Sequence, residues 1–120
     1  MTAPTKPFPK PPAEVETYVD ILGMDLAIEF LLRFGGAELY IPASPKDRSR
    51  VAALVGRELT AELARSDHLL QRRVPLATQW LAACLHAQGR AIAEIARRLR
   101  ITDVTVRKHL SRYRKQDNAP

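Results

Sequence analysis

The sequence predicts an all-α protein with one short β-strand: a helical N-terminal dimerisation region, then a C-terminal three-helix unit containing a helix-turn-helix. Three observations lead there. Apolar residues recur at helical spacing in most segments after residue 13. Only 6% of the 120 residues are aromatic, so the core must come mainly from Leu, Ile, Val and Ala, which suits helices. One stretch, Ala37–Ile41 (AELYI), has strand character, bounded by Gly35-Gly36 and Pro42.

Residues 1–12 hold five prolines and little to bury besides Phe8, so they read as a disordered proline-rich arm, with packing along a partner subunit as the other possibility. Residues 13–43 form the helical dimerisation region. Val15, Tyr18, Val19 and Leu22 share a face, and Leu26, Ala27, Phe30, Leu31 and Phe34 continue the apolar set. Gly23 either breaks this segment into two helices or weakens one. Its apolar surface has to be covered by the rest of the chain or by a second copy, and the pattern leaves both open. Phe34-Gly35-Gly36 stops the helix, and the strand at 37–41 follows. A lone strand leaves backbone N–H and C=O groups unpaired, and a second copy in a symmetric dimer is the simplest source of a partner.

Residues 44–70 read as a linking helix. Ser44 is its N-cap, Pro45 its first helical residue and Asp47 lies in its first turn, with Val51, Leu54, Val55, Leu59 and Leu63 as its stripe to about Arg65. His68 reads as a surface residue, and Arg72-Arg73 as an addition to a phosphate-facing surface. Residues 71–115 form the three-helix unit: Leu76–His86, opened by Pro75 and closed by Gly89, then Ala91–Leu99 and Asp103–Tyr113. Residues 116–120 read as a frayed tail.

The last two helices carry the functional signal. Ile92, Ile95, Ala96 and Leu99 make an apolar face, and Ala96 is small enough for a close helix crossing. Arg100 stands where glycine is preferred for a left-handed turn. Ile101 plugs the turn, Thr102 is an N-cap, and Asp103 suits the positive end of the helix dipole. Val106 and Leu110 face inward. Thr102, Asp103, Val104, Arg107, Lys108 and Ser111 then point outward as base-reading candidates, because arginine and lysine can hydrogen-bond guanine edges in the major groove. Arg97, Arg98, Arg100, Arg112, Arg114 and Tyr40 are the phosphate candidates. From Arg90 to Lys115 there are nine basic and two acidic residues, net +7, against +6 for the whole chain, so the rest lies near −1. Positive charge gathered on one unit is what phosphate neutralisation requires.

Other classes find little support. The single cysteine, Cys84, excludes an internal disulfide and sits in an apolar stretch as a buried thiol. There is no long apolar run for a membrane span and no leader pattern at the N-terminus, so a cytoplasmic protein is expected. No metal-ligand cluster, glycine-rich phosphate loop or nucleophile–base set stands out, so neither enzyme activity nor a cofactor or metal is expected.

The FGGAELYIP stretch followed by a C-terminal helix-turn-helix resembles the Mor/C family of phage transcription activators. Gly35, Gly36, Tyr40, Ile41 and Pro42 carry the first part; Ile95, Ala96, Leu99 and Val106 carry the second. The resemblance implies a homodimer whose strands meet between subunits, contact with double-stranded DNA near the symmetry axis, and recruitment of RNA polymerase. Between Pro42 and Ala91 lies room for two helices, more than the family pattern contains. The resulting expectation is a dimeric, sequence-specific transcription regulator acting on phage or prophage genes. The alternatives are a DNA-recognition subunit of a phage packaging or recombination complex, and a helix-turn-helix protein-interaction module.

Overall fold

The computed structural model describes residues 8–39, 41 and 49–117. Among them are seven α-helices and no sheet: α1 Ala13–Leu22, α2 Met24–Phe34, α3 Arg50–Val55, α4 Arg57–Arg65, α5 Thr78–Ala87, α6 Ile92–Leu99 and α7 Asp103–Asp117, with a short 3-10 helix at Asp67–Leu69. None is long and apolar enough to cross a membrane. The chain divides into two compact units. One is Pro11–Leu76, holding α1–α4. The other joins residues 8–10 to the chain from Ala77 onward, holding α5–α7.

In the first unit, Gly23 separates α1 from α2 with φ +81°, a conformation that side chains strain to adopt. Val15, Tyr18 and Leu22 of α1 and Ala27, Ile28, Phe30, Leu31 and Phe34 of α2 are buried. Phe30 lies at the centre of an aromatic row, 5.3 Å from Tyr18 and 5.0 Å from Phe34 between ring centroids. Much of the apolar face of both helices is therefore buried within the chain itself. The helix stops at Phe34 as expected, and Gly35 has no room for a side chain: a Cβ there would sit 2.6 Å from the Leu31 carbonyl oxygen.

Among the described residues, the strand expected at 37–41 is reduced to one antiparallel bridge, Glu38 with Arg73. Its partner comes from the same chain. The Val74 N–H donates to the Ala37 carbonyl at 2.8 Å, and the Gly36 N–H to the Val74 carbonyl at 2.7 Å. The linking helix is also corrected. It is two helices parted by Gly56, and Ser49 is the N-cap, its hydroxyl accepting from the Ala52 N–H at 3.1 Å. Ser44, Pro45 and Asp47 lie outside the described residues. Arg72 and Arg73 are both exposed and share one carboxylate, Glu38, at 2.7 and 3.8 Å.

In the second unit α5 is the central helix. Trp80 through Leu85 and Ala87 are all buried. It begins at Thr78 rather than at Pro75, because Ala77 takes the left-handed conformation (φ 48°, ψ 38°) and interrupts the backbone ahead of it. It ends at Ala87 with Gln88, not the expected Gly89, as its C-cap; Gly89 follows at φ +87°, which lets the Arg90 N–H return to the Leu85 carbonyl at 3.1 Å. Residues 8–10 are tied down rather than loose. The Trp80 indole N–H donates to the Pro9 carbonyl at 3.1 Å, and the Tyr113 hydroxyl donates to the Lys10 carbonyl at 2.8 Å. The arm's first seven residues and the last three of the tail lie outside the described residues, while α7 itself continues two residues past Lys115.

Candidate nucleic-acid interface

The surface is built on α6, the turn Arg100–Thr102 and α7. Ile95 of α6 and Val106 of α7 are fully buried, and α5, α6 and α7 pack mutually against one another. Ile92, Ala96, Leu99 and Leu110 are half-buried around that centre. At the end of α6, Arg100 takes φ 61° and ψ 42°, the left-handed turn expected there without the usual glycine. The turn closes as the Ile101 N–H returns to the Ala96 carbonyl at 3.0 Å and the Arg100 N–H to Arg97 at 3.3 Å.

Thr102 starts α7 as its N-cap. Its Oγ1 accepts from the Thr105 N–H at 3.1 Å and lies 2.9 Å from the Thr105 hydroxyl. With the helix start fixed and Val106 held inward, the outward direction of the next two turns follows. Thr102, Asp103, Val104, Arg107 and Lys108 are exposed, and Ser111 is half-buried at the margin of the same face. Val104 is 55% exposed, an apolar side chain on an otherwise polar surface.

One pairing on this face was not foreseen, although its i, i+4 spacing was readable. Arg107 Nη1 lies 2.8 Å from Asp103 Oδ2. The Arg107 guanidinium, through that hydrogen bond, holds the Asp103 carboxyl below its ordinary range. The pair orients Arg107 while keeping it in solvent, with 62% of its side chain exposed.

Of the phosphate candidates, Arg97, Arg100, Arg112 and Arg114 are exposed and Arg98 is half-buried. Tyr40 lies outside the described residues. Arg90, two residues before α6, is engaged by Glu94 at 3.1 Å. His109 was also not singled out from the sequence. It lies half-buried on α7, one turn after Val106, and its Nδ1 is buried without a protein partner. Burial first, and Arg112 second, push its pKa below the ordinary imidazole value. The Cys84 thiol is buried, and burial raises its pKa well above the usual thiol range, which keeps it protonated and unreactive. Among the described residues no group of three or more His, Cys, Asp or Glu side chains could hold a metal ion.

The chain matches no family model, no curated protein and no solved structure.

Proposed function

We propose that this chain is a sequence-specific double-stranded DNA-binding transcription regulator, with α6, the Arg100–Thr102 turn and α7 working as a helix-turn-helix. The observation that carries this reading is the outer face of α7, where Asp103, Val104, Arg107 and Lys108 are exposed together within the first two turns after a capped start. A helix entering the major groove reads bases with residues of this kind at its N-terminal end. Arg107 is the guanine reader, Val104 offers an apolar contact for a thymine methyl, and Lys108 reaches a base or a phosphate. Arg97, Arg100, Arg112 and Arg114 are the phosphate anchors, and the net +7 of residues 90–115 supplies the attraction.

The narrower reading is an activator of phage-type genes, and it rests on the FGGAELYIP stretch and its likeness to the Mor/C family. An activator must also recruit RNA polymerase, so its test is transcription in a purified system rather than binding alone.

Binding is tested by mobility shift on a site recovered from random duplexes. Arg107→Ala should cost about 1–3 kcal/mol and relax the preference at one base pair. Equal weakening on every duplex reduces Arg107 to a phosphate contact. No binding to any duplex by the unaltered chain refutes the reading.

A further inference from the structure

The unit Pro11–Leu76 contains the same element twice. Gly56 follows Gly23 by 33 residues, and at that offset Leu59 follows Leu26, Glu62 follows Glu29 and Pro75 follows Pro42. Similar residues occupy further pairs: Leu22 and Val55, Asp25 and Glu58, Phe30 and Leu63, Ile41 and Val74. The identities are few, but the backbone repeats closely. Gly23 has φ 81° and ψ 164°; Gly56 has φ 88° and ψ 162°. Each follows directly on one helix and precedes another. Each N–H donates four residues back, to Val19 and to Ala52, both at 2.8 Å. Each carbonyl accepts from four residues ahead, from Ala27 at 3.0 Å and Thr60 at 3.1 Å. Burial repeats too. Tyr18 and Val51, Leu22 and Val55, Ala27 and Thr60, and Phe30 and Leu63 are all buried, while Glu29 and Glu62 are both exposed.

The contacts between the copies are reciprocal, the pattern that a two-fold relation produces. α1 packs on α4, and α2 packs on α3. Exchanging the copies turns one contact into the other. The segments after α2 and α4 meet antiparallel at Glu38 and Arg73. That register sets Leu39 opposite Arg72, its own counterpart 33 residues on. Crossed helix contacts and an antiparallel bridge whose register is centred on equivalent residues are the relations between two subunits of an isologous dimer. Here they occur within one chain.

We infer that Pro11–Leu76 is a single-chain counterpart of a two-subunit assembly, and that the protein acts as a monomer, presenting one α7 to a DNA site without two-fold symmetry. The described residues of Pro11–Leu76 offer a second copy few exposed large apolar side chains. Among its described residues only Leu69 and Leu76 are large, apolar and exposed. A symmetric dimer brings two reading helices and so an inverted repeat, whereas one chain brings one. The DNA half of the inference rests on the reading of α7 proposed above; the monomer half does not.

The test uses the full chain. Light scattering over a wide concentration range at moderate salt should give 13.5 kDa throughout. Selection from a random duplex library should then return an asymmetric consensus, bound by one chain per duplex. A dimer in the free protein overturns the single-chain equivalence. A monomer that binds in pairs on an inverted repeat overturns the single-site inference while upholding DNA recognition. A monomer that retains no duplex refutes the DNA reading and the single-site inference with it.

Discussion

Arg100→Gly separates backbone strain from charge at one position. Arg100 sits at φ 61° and ψ 42° with its residue exposed, so glycine removes a Cβ from an unfavourable conformation without opening the core. A left-handed non-glycine residue costs about 1–2 kcal/mol. Glycine gives back roughly 0.4–1 kcal/mol through the added freedom of the unfolded chain. The net gain is about 0.5–1 kcal/mol, or roughly 2–5 °C in Tm for a chain of this size. Thermal melts followed by circular dichroism at neutral pH measure it. If Arg100 also neutralises a phosphate, the same variant binds DNA more weakly, and its log–log salt slope falls by about 0.9. Arg100→Ala is the control. It keeps the Cβ strain and loses the charge, so it should match the glycine variant in DNA binding without its added stability. An unchanged or lowered Tm for Arg100→Gly refutes the left-handed turn.

Three further outcomes follow from the same structure. Gly23→Ala and Gly56→Ala should each destabilise by about 1–3 kcal/mol through backbone conformation alone, since an added Cβ meets nothing within 4 Å at either site; urea unfolding of the two variants should give similar losses, and a neutral result at either one contradicts the repeated geometry. Burial lowers the pKa of His109 in the folded protein, whereas the unfolded chain takes up a proton near the ordinary value of 6.5. Its contribution to stability is therefore present above that pH and is lost as pH falls below it, so Tm should drop between pH 7 and 5, and His109→Gln should flatten part of that drop. Asp103→Asn should release Arg107 and raise affinity for unrelated duplexes more than for the selected site; a uniform rise means that the carboxylate repels phosphate and does not orient its partner.

The three helices α5–α7 were legible because their signals are local. Gly89 and Thr102 mark a stop and a start, and Ile95 and Val106 fall on helical faces that bury them. The exposed face of α7 followed from the same spacing. What was hidden depends on contacts distant in sequence. The stretch around Glu38 reads as a strand seeking a second copy only while the segment at Arg73 goes unrecognised as its partner. The duplication was obscured because most pairs changed identity, as Phe30 against Leu63, and only a few matches, such as Gly23 and Gly56, remain. The helix start at Thr78 was misplaced because Pro75 is a good opening residue locally, and nothing in an alanine announces the left-handed conformation of Ala77. The seating of residues 8–10 was hidden for a physical reason as well. Prolines remove donors but leave carbonyls free, and whether those find partners depends on side chains such as Trp80, 71 residues from Pro9.

Trp80 is the only tryptophan in the chain, it is 2% exposed, and its indole N–H ends on the Pro9 carbonyl. All tryptophan emission therefore comes from one ring whose polar end touches the arm. Its wavelength and quenching by iodide or acrylamide report whether residues 8–10 are seated, without a label. Because the same segment also receives the Tyr113 hydroxyl from α7, a duplex that shifts that helix or the arm should register in the fluorescence of the free chain on mixing, giving a stopped-flow signal for association.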